Sequence, residues 1–292
     1  MRFWGAIFAL LFAANAGLAQ SYPARVAIKG DGNYAKPTEA KLSSKLIGRE
    51  MPYRVIVPTD YSSAKEMRYP VIYLLHGLTG HYDNWTDRTS LAAKAADFKV
   101  IIVTPEGDNG WYTDSVSKVT DKYESYIVKE LIPEIDAKYR TIADRKGRAI
   151  AGLSMGGFGA LKFGLKYPEL FSLAGSFSGA IGAASISEKD FPGPISKSIA
   201  EIFGPAGSET RKANDVFAII RDASQEKIKT FPFLYVDCGN EDFLIQNNRE
   251  FATLLAEKKV PHEYRQLPGG HDWKYWDKQV LEFLQIASDR LK

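Results

Sequence analysis

A short stretch in the middle of the chain, Gly152-Leu-Ser-Met-Gly156, fits the pattern G-x-S-x-G. This pattern is typical of a sharp turn from a buried strand into a helix, with one serine, here Ser154, at its tip. Small residues two positions either side of the serine let strand and helix approach closely. The apolar run 149–153 predicts the buried strand. A glycine-rich turn with an incidental serine would also match, so the interpretation depends on an acid and a histidine later in the chain.

Acidic residues follow a later apolar strand, predicted over 231–236. The candidates are Asp237, Glu241 and Asp242. We favour Asp242, because Asp237 still lies in the strand and Glu241 is expected to point away. Asp242 could equally cap the helix predicted over 243–259, and both roles can coexist.

A histidine follows the last predicted strand, 262–267, in the sequence Leu267-Pro-Gly-Gly-His-Asp-Trp273. The two glycines would let the loop bring the imidazole of His271 over Ser154. Taken alone, His271 would be interpreted as a loop histidine before a helix. Serine, acid and histidine in this chain order, each after a strand, predict a triad for nucleophilic catalysis.

The loop after the strand 70–75 reads His76-Gly-Leu-Thr-Gly80. Together with the residue that follows the serine, Met155, it offers backbone N–H groups for an oxyanion hole, and Leu78 is the predicted second donor. His76 and His81 lie in this glycine loop without a nearby cysteine or carboxylate ligand pattern, so we predict a structural role for His76 and no metal. The chain also lacks a phosphate-binding loop or cofactor motif, and no cofactor is predicted.

Continuous apolar strands alternate with helical segments over most of the chain, which predicts an α/β fold with a mostly parallel sheet covered on both faces. Alternating residues in 38–47 and 52–57 predict an antiparallel hairpin at the sheet edge, turning at Gly48. Residues 180–230 break the alternation and predict a small inserted cap. We expect a single catalytic domain over 38–292.

The start of the chain differs from the rest. Arg2 precedes an almost wholly apolar run that ends in Gly17-Leu-Ala19, which predicts a signal peptide over 1–19 and a loose arm over 20–37. An uncleaved membrane anchor is the alternative, but the apolar run is short for a span. The expected location is secreted or periplasmic, with no membrane span in the mature protein.

Charge and cysteine content argue against a nucleic-acid-binding protein, an internal disulfide and a cysteine nucleophile. Lysines and arginines are scattered and the net charge is only +3, so no nucleic-acid partner is predicted. The single cysteine, Cys238, cannot form an internal disulfide and is expected to be a buried thiol rather than a nucleophile.

Several motifs taken together resemble a known family from about residue 38 to the end of the chain. They are His76-Gly-Leu78 with Asn84-Trp85, Gly110-Trp-Tyr-Thr-Asp114, the segment 123–140, 152–157, Cys238-Gly-x-x-Asp242 and Gly269-Gly-His-Asp-Trp273. The set is similar to the esterase family of α/β-hydrolases that includes S-formylglutathione hydrolase (esterase D), feruloyl esterases, tributyrin-type esterases and mycolyltransferases.

The resemblance implies an α/β-hydrolase fold, a nucleophile at Ser154 with partners Asp242 and His271, and oxyanion donors at Leu78 and Met155. Trp111, Tyr112 and Trp273 would line the substrate pocket or, equally, pack the core. The implied substrate is a small-molecule or carbohydrate-linked ester, with feruloyl, acetyl and other short-chain esters favoured by the signal peptide. The alternatives are a mycolyltransferase-type acyltransferase, a thioesterase like S-formylglutathione hydrolase, and a non-catalytic binding protein.

Overall fold

The computed structural model describes residues 34–187, 189 and 193–292. The predicted signal peptide and the arm up to residue 33 lie outside the described residues. The described chain forms one eight-stranded sheet in the order β1-β2-β4-β3-β5-β6-β7-β8. Its strands are β1 (Thr38–Ser44), β2 (Arg49–Ile56), β3 (Val71–Leu75), β4 (Ile101–Pro105), β5 (Arg148–Leu153), β6 (Leu173–Phe177), β7 (Phe233–Gly239) and β8 (His262–Leu267).

The predicted edge hairpin is confirmed. β1 and β2 pair antiparallel from Thr38 opposite Val55 to Ser44 opposite Arg49. Gly48 takes the positive φ of 76° that the turn requires. β2 then pairs antiparallel with β4, and every later pairing is parallel. The mostly parallel sheet predicted from the sequence is therefore present, and the carboxyl ends of its parallel strands share one edge.

Helices cover both faces of the sheet. They are α1 (Asn84–Asp87), α2 (Leu91–Ala95), α3 (Tyr123–Tyr126), α4 (Ile132–Lys138), α5 (Met155–Lys166), α6 (Pro194–Phe203), α7 (Glu209–Asn214), α8 (Val216–Arg221), α9 (Gln225–Ile228), α10 (Ile245–Glu257) and α11 (Trp273–Arg290). The buried residues form one apolar cluster on each face: α5 and α8 pack in one, α2 and α11 in the other. Among the helices described, none is both long enough and apolar enough to pass through a lipid bilayer.

The chain from Tyr123 to Lys138 is not one continuous α-helix. A π-helical segment, Ile127–Leu131, separates α3 from α4. Pro133 lies in the first turn of α4, where a missing backbone N–H costs no intrahelical hydrogen bond. The segment therefore contains one wider turn, after which an α-helix starts again.

The predicted insertion contains helices rather than strands. Between β6 and β7 the chain forms a short 3₁₀ turn, Ala183–Ser185, and then α6 to α9. Ser208, Asp215 and Ser224 each accept a backbone N–H hydrogen bond at the start of α7, α8 and α9. Each cap stabilises the start of a short helix, because it accepts a hydrogen bond from a helix-terminal N–H that would otherwise be unpaired.

Candidate active site

Ser154 lies between β5 and α5 in a backbone conformation that residues other than glycine rarely adopt, with φ 53° and ψ −116°. Its N–H donates to the carbonyl of Phe177 on β6 over 2.9 Å. The flanking glycines leave no room for a side chain. A Cβ on Gly152 would lie 2.6 Å from the backbone of Gly156, and one on Gly156 would lie 2.5 Å from the Leu75 carbonyl. The tight strand-to-helix turn predicted from the sequence is therefore present.

A chain of hydrogen bonds joins the three side chains predicted as a triad. Nε2 of His271 lies 3.0 Å from Oγ of Ser154. Nδ1 of His271 lies 2.8 Å from Oδ2 of Asp242. An ionised carboxylate only accepts hydrogen bonds, so the assigned tautomer has Nδ1–H donating to Asp242 and Nε2 accepting from the Ser154 hydroxyl. This arrangement leaves Nε2 free to take the serine proton.

The Asp242 carboxyl is held in its charged form. Its side chain is fully buried, and burial alone would raise its pKa. Hydrogen bonds from His271 and from the Leu244 N–H at 2.8 Å outweigh burial and lower the pKa of Asp242. The predicted helix 243–259 begins only at Ile245 with Leu244 as its cap residue, so Asp242 does not cap it. The Leu244 N–H instead supports the carboxylate.

The two other acidic candidates have different positions. Asp237 is still inside β7, as predicted, and is fully buried. Glu241 accepts a hydrogen bond of 2.6 Å from the Gly269 N–H, and its own N–H donates to the Gly269 carbonyl. In the part of the chain that the structure describes, Asp242 is the only carboxylate hydrogen-bonded to His271. Glu241 therefore orders the loop that carries the histidine.

Two aromatic rings contact the His271 imidazole, and sequence analysis missed both. The Phe243 ring lies 4.6 Å from it, centroid to centroid, and the Trp276 ring meets it edge-on at 4.9 Å. Trp276 is buried, whereas Phe243 is 77% exposed. Phe243 directly follows Asp242, and Trp276 lies in the first two turns of α11, so adjacency in sequence was the available signal. The pair restricts the ring orientation of His271.

The loop after β3 lies directly against Ser154. A Cβ on Gly77 would be 3.4 Å from the Ser154 Cβ. Within the described residues, the N–H groups of Leu78 and Met155 donate no hydrogen bond. Met155 opens α5, where the first N–H groups have no intrahelical acceptor. Both N–H groups suggested for an oxyanion hole thus lack an acceptor among the described residues; Met155 directly follows the serine, and Leu78 directly follows Gly77.

Trp111 and Tyr112 lie in the core. Trp111 is 3% exposed and packs edge-on against Phe158 at 5.9 Å. Tyr112 is fully buried, and its hydroxyl donates to the His76 carbonyl over 3.0 Å. The structure gives both residues packing contacts, and their contact with substrate stays a prediction.

Trp273 is only half-buried. Its ring packs edge-on against Trp276 at 5.3 Å, and Trp276 in turn contacts His271. It also borders an open surface depression with Arg88 and Asp277. Of the three aromatic residues suggested for substrate binding, Trp273 is the one with an exposed surface near the histidine.

A buried carboxylate, Glu106, joins the two histidines of the 76–81 loop. It lies 3.1 Å from Nε2 of His76 and 3.2 Å from Nδ1 of His81. Ligand atoms of His81, Glu106 and Asp108 lie within 4.8 Å of one another. Glu106 already accepts the N–H groups of residues 82, 107 and 108, and Asp108 already pairs with Arg49. The structural role predicted for His76 is confirmed, and Glu106 is the partner that sequence analysis missed.

The chain is similar in sequence and in structure to known esterases. A family model described as "Putative esterase" matches residues 44–285. An acetyl esterase of Caldicellulosiruptor saccharolyticus is 29% identical over 84% of this chain and 97% of its own length. An esterase of Mycobacterium tuberculosis is 33% identical over 79% of this chain, which spans about half, 54%, of that protein. A solved ferulic acid esterase is 31% identical with a TM-score of 0.77, covering 89% of this chain and 99% of that one.

The sheet order, the strained serine turn and these relatives define the class of protein as a carboxylic ester hydrolase with an α/β-hydrolase fold. The chain belongs to the esterase family whose model covers residues 44–285.

Proposed function

We propose that this protein is an exported serine carboxylesterase that hydrolyses feruloyl, acetyl or other short-chain esters through an acyl-enzyme on Ser154. One observation carries the proposal: the His271 imidazole bridges the Ser154 hydroxyl and the buried Asp242 carboxylate with hydrogen bonds of 3.0 and 2.8 Å. A serine next to an oriented base is the arrangement that activates a hydroxyl as a nucleophile.

Acylation begins with the proton of the serine. Nε2 of His271 accepts this proton while Oγ of Ser154 attacks the ester carbonyl carbon. The carbonyl oxygen becomes negatively charged and receives the N–H groups of Leu78 and Met155. Asp242 stabilises the imidazolium without taking its proton. The imidazolium then protonates the departing alkoxide, so the alcohol leaves and the acyl group remains on Ser154.

Deacylation repeats these steps with water. His271 removes a proton from a water molecule, and the resulting hydroxide attacks the acyl carbon. The same two N–H groups hold the second oxyanion. Collapse of this intermediate returns the proton to Oγ of Ser154 and releases the carboxylic acid.

The substrate class rests on the relatives and on exposed aromatic surface. One relative is named as an acetyl esterase and one solved structure as a ferulic acid esterase. Phe243 and Trp273 offer aromatic surface near His271 for an acyl or alcohol group. We therefore expect turnover of small esters, with the acyl preference set by residues around the histidine.

Steady-state kinetics test the proposal. The substrates are p-nitrophenyl acetate, butyrate and octanoate beside methyl ferulate, with Ser154→Ala as the comparison. Removing the nucleophile should lower kcat by about 10⁴–10⁶-fold while the fold persists. A Ser154→Ala protein with near-normal turnover would disprove the role of the serine.

Export is tested separately. The apolar stretch that ends at Ala19 supports cleavage by a signal peptidase. Expression of the full chain in a bacterial host should give a mature protein outside the cytoplasm whose first residue is Gln20. An intact N-terminus on a cytoplasmic protein would contradict export without affecting the esterase proposal.

A further inference from the structure

The oxyanion loop, residues 76–82, contains one unusual peptide unit. Thr79 has a φ of 61°, in the left-handed region that β-branched residues rarely adopt. The preceding residue is Leu78, whose N–H is free within the described residues. Within the loop, the Gly80 N–H donates to the Gly77 carbonyl over 3.0 Å and closes a turn with Leu78 and Thr79 at its centre. A threonine at the positive-φ position of such a turn is strained, so a contact from outside the loop helps to hold it there.

The side chain of Asn109 supplies that contact. Its Oδ1 accepts the Thr79 N–H over 2.7 Å. This N–H belongs to the peptide unit that joins Leu78 to Thr79, so the bond fixes the plane of the peptide immediately after Leu78. The Leu78 N–H itself belongs to the preceding peptide unit, so the bond acts on it indirectly: it limits ψ of Leu78 and φ of Thr79 and anchors the chain one residue after Leu78. The hydrogen bond is the only one that the Asn109 side chain makes within the described ranges.

Glu106 secures the loop on both sides of this peptide. It reaches His76 before the peptide and accepts from His81 and from the Tyr82 N–H, at 3.2 and 3.3 Å, after it. Burial would raise the pKa of Glu106, but the hydrogen bond and charge of His76 and the backbone N–H groups lower it to about 2. The carboxylate therefore stays charged and accepts hydrogen bonds throughout the working range of an esterase.

Two residues of the segment that follows β4 therefore hold the oxyanion loop, each at a different place. Glu106 fixes the ends of the oxyanion loop from a buried position, and Asn109 fixes its central peptide from an exposed one. Loss of Glu106 would disturb the core around His76. Loss of the Asn109 side chain would free one peptide unit and leave the core contacts intact.

We propose that Asn109 is a positioning residue for ester hydrolysis, because its side chain anchors the backbone one residue after Leu78, whose N–H is the proposed oxyanion donor. The inference rests on the proposed function and deepens it by naming what orders the oxyanion hole. An oxyanion forms only in the transition state, so weaker ordering lowers kcat and leaves substrate binding unchanged. A purely structural role for Asn109 would instead alter stability without this separation.

The test compares Asn109→Ala with Asn109→Asp in the full enzyme. Asn109→Ala should lower kcat for p-nitrophenyl acetate by about tenfold, a fraction of what deleting an oxyanion donor costs, with KM within about twofold. Asn109→Asp keeps an oxygen acceptor in place and should restore most of the lost kcat. Both variants should melt within about 2 °C of the wild type, since the side chain is exposed.

Inhibition by phenylboronic acid provides a second measurement, because its adduct with the serine resembles the tetrahedral intermediate. The boron of phenylboronic acid bonds to Oγ of Ser154 while the hydroxyl proton passes to His271, giving an anionic tetrahedral adduct. The inhibition constant should rise about tenfold in Asn109→Ala, in parallel with the loss of kcat.

Asp144 provides a matched control. It is exposed, and its carboxylate also accepts backbone N–H groups, those of Lys146 and Gly147. It precedes β5, however, and therefore lies at the amino end of that strand, whereas Ser154 lies at the carboxyl end. Asp144→Ala should therefore leave kcat and the boronic acid constant unchanged. Wild-type kcat and inhibitor affinity in Asn109→Ala, with hydrolysis still dependent on Ser154, would overturn this inference alone. Hydrolysis that does not depend on Ser154 would overturn the proposed function as well.

Discussion

The end of β7 and the loop that follows it each bury a carboxyl group, and the two groups meet opposite environments. Asp242, in the loop, receives hydrogen bonds from His271 and from the Leu244 N–H, which lower its pKa despite burial. Asp237, in the strand, is buried among Tyr235 and Tyr275, and burial raises its pKa to about 8 against the opposing effect of those hydroxyls.

At neutral pH, Asp242 is therefore a carboxylate, whereas Asp237, five positions earlier in the chain, is a carboxylic acid. The difference follows from what each oxygen can accept, because hydrogen-bond donors stabilise the charged form and apolar burial destabilises it. Only the charged group can hold the Nδ1–H tautomer of His271. The environment, rather than the residue type, suits Asp242 to the role of the acid in the proposed triad.

The largest expected effect comes from neutralising the loop carboxylate. Asp242→Asn keeps the shape but presents an amide to His271, which then adopts the wrong tautomer. We expect kcat to fall by about 10³–10⁴-fold. The matched control is Asp237→Asn, which should keep kcat within a few-fold, as measured with p-nitrophenyl acetate. Equal losses in the two variants would remove the distinction between the two carboxyls.

A third buried carboxyl sharpens the comparison. Glu124 is buried like Asp237, yet the charges of Lys162 and Lys166 outweigh burial and lower its pKa to about 2. Its Oε2 lies 2.6 Å from Nζ of Lys162, which is itself fully buried. Glu124→Gln should lower the unfolding free energy by about 3 kcal/mol, because it leaves the ammonium without its partner. Chemical denaturation measures this change.

The double variant Glu124→Gln/Lys162→Met serves as the control for that prediction. It removes both charges, so it should recover part of the lost unfolding free energy. A double variant less stable than the sum of the two single changes would show that the ion pair is not what Glu124 contributes.

The effect that is smallest over a single pH unit is the pH dependence of stability that Asp237 imposes. In the unfolded chain its pKa is near 3.8, and in the folded protein it is about 8. The raised folded pKa gives stability that is complete below pH 4 and is lost as pH rises to 8, by at most about 1.4 kcal/mol per pH unit. Thermal melts should show Asp237→Asn gaining over the wild type between pH 5 and pH 8.5. A constant difference across that range would contradict the raised pKa.

Local sequence patterns predicted much of the fold and that Ser154, Asp242 and His271 would lie together. β8 has the bounds that its alternation indicated, and the edge hairpin turns at Gly48. The order of Ser154, Asp242 and His271 was readable because each follows an apolar strand, and parallel strands end at one edge of the sheet. The prediction that Asp237 still lies inside the strand is confirmed.

Contacts between loops that are far apart in the chain could not be predicted from local sequence patterns. Glu106 meets His76 and His81 across 30 and 25 positions, and no periodicity reports such a pairing. Asn109 reaches Thr79 across 30 positions through an exposed side chain. Trp111 and Tyr112 were suggested for the pocket by family resemblance, and only the packed structure gives their burial.

Labelling of the serine tests the central claim most directly. The wild type, Ser154→Ala and His271→Ala would each be treated with a fluorophosphonate and analysed by intact mass and peptide mapping. The account predicts one adduct on the wild type, on the peptide that carries Ser154, with no labelling of Ser154→Ala and much slower labelling of His271→Ala. An adduct at another residue, or equal labelling of all three proteins, would contradict it.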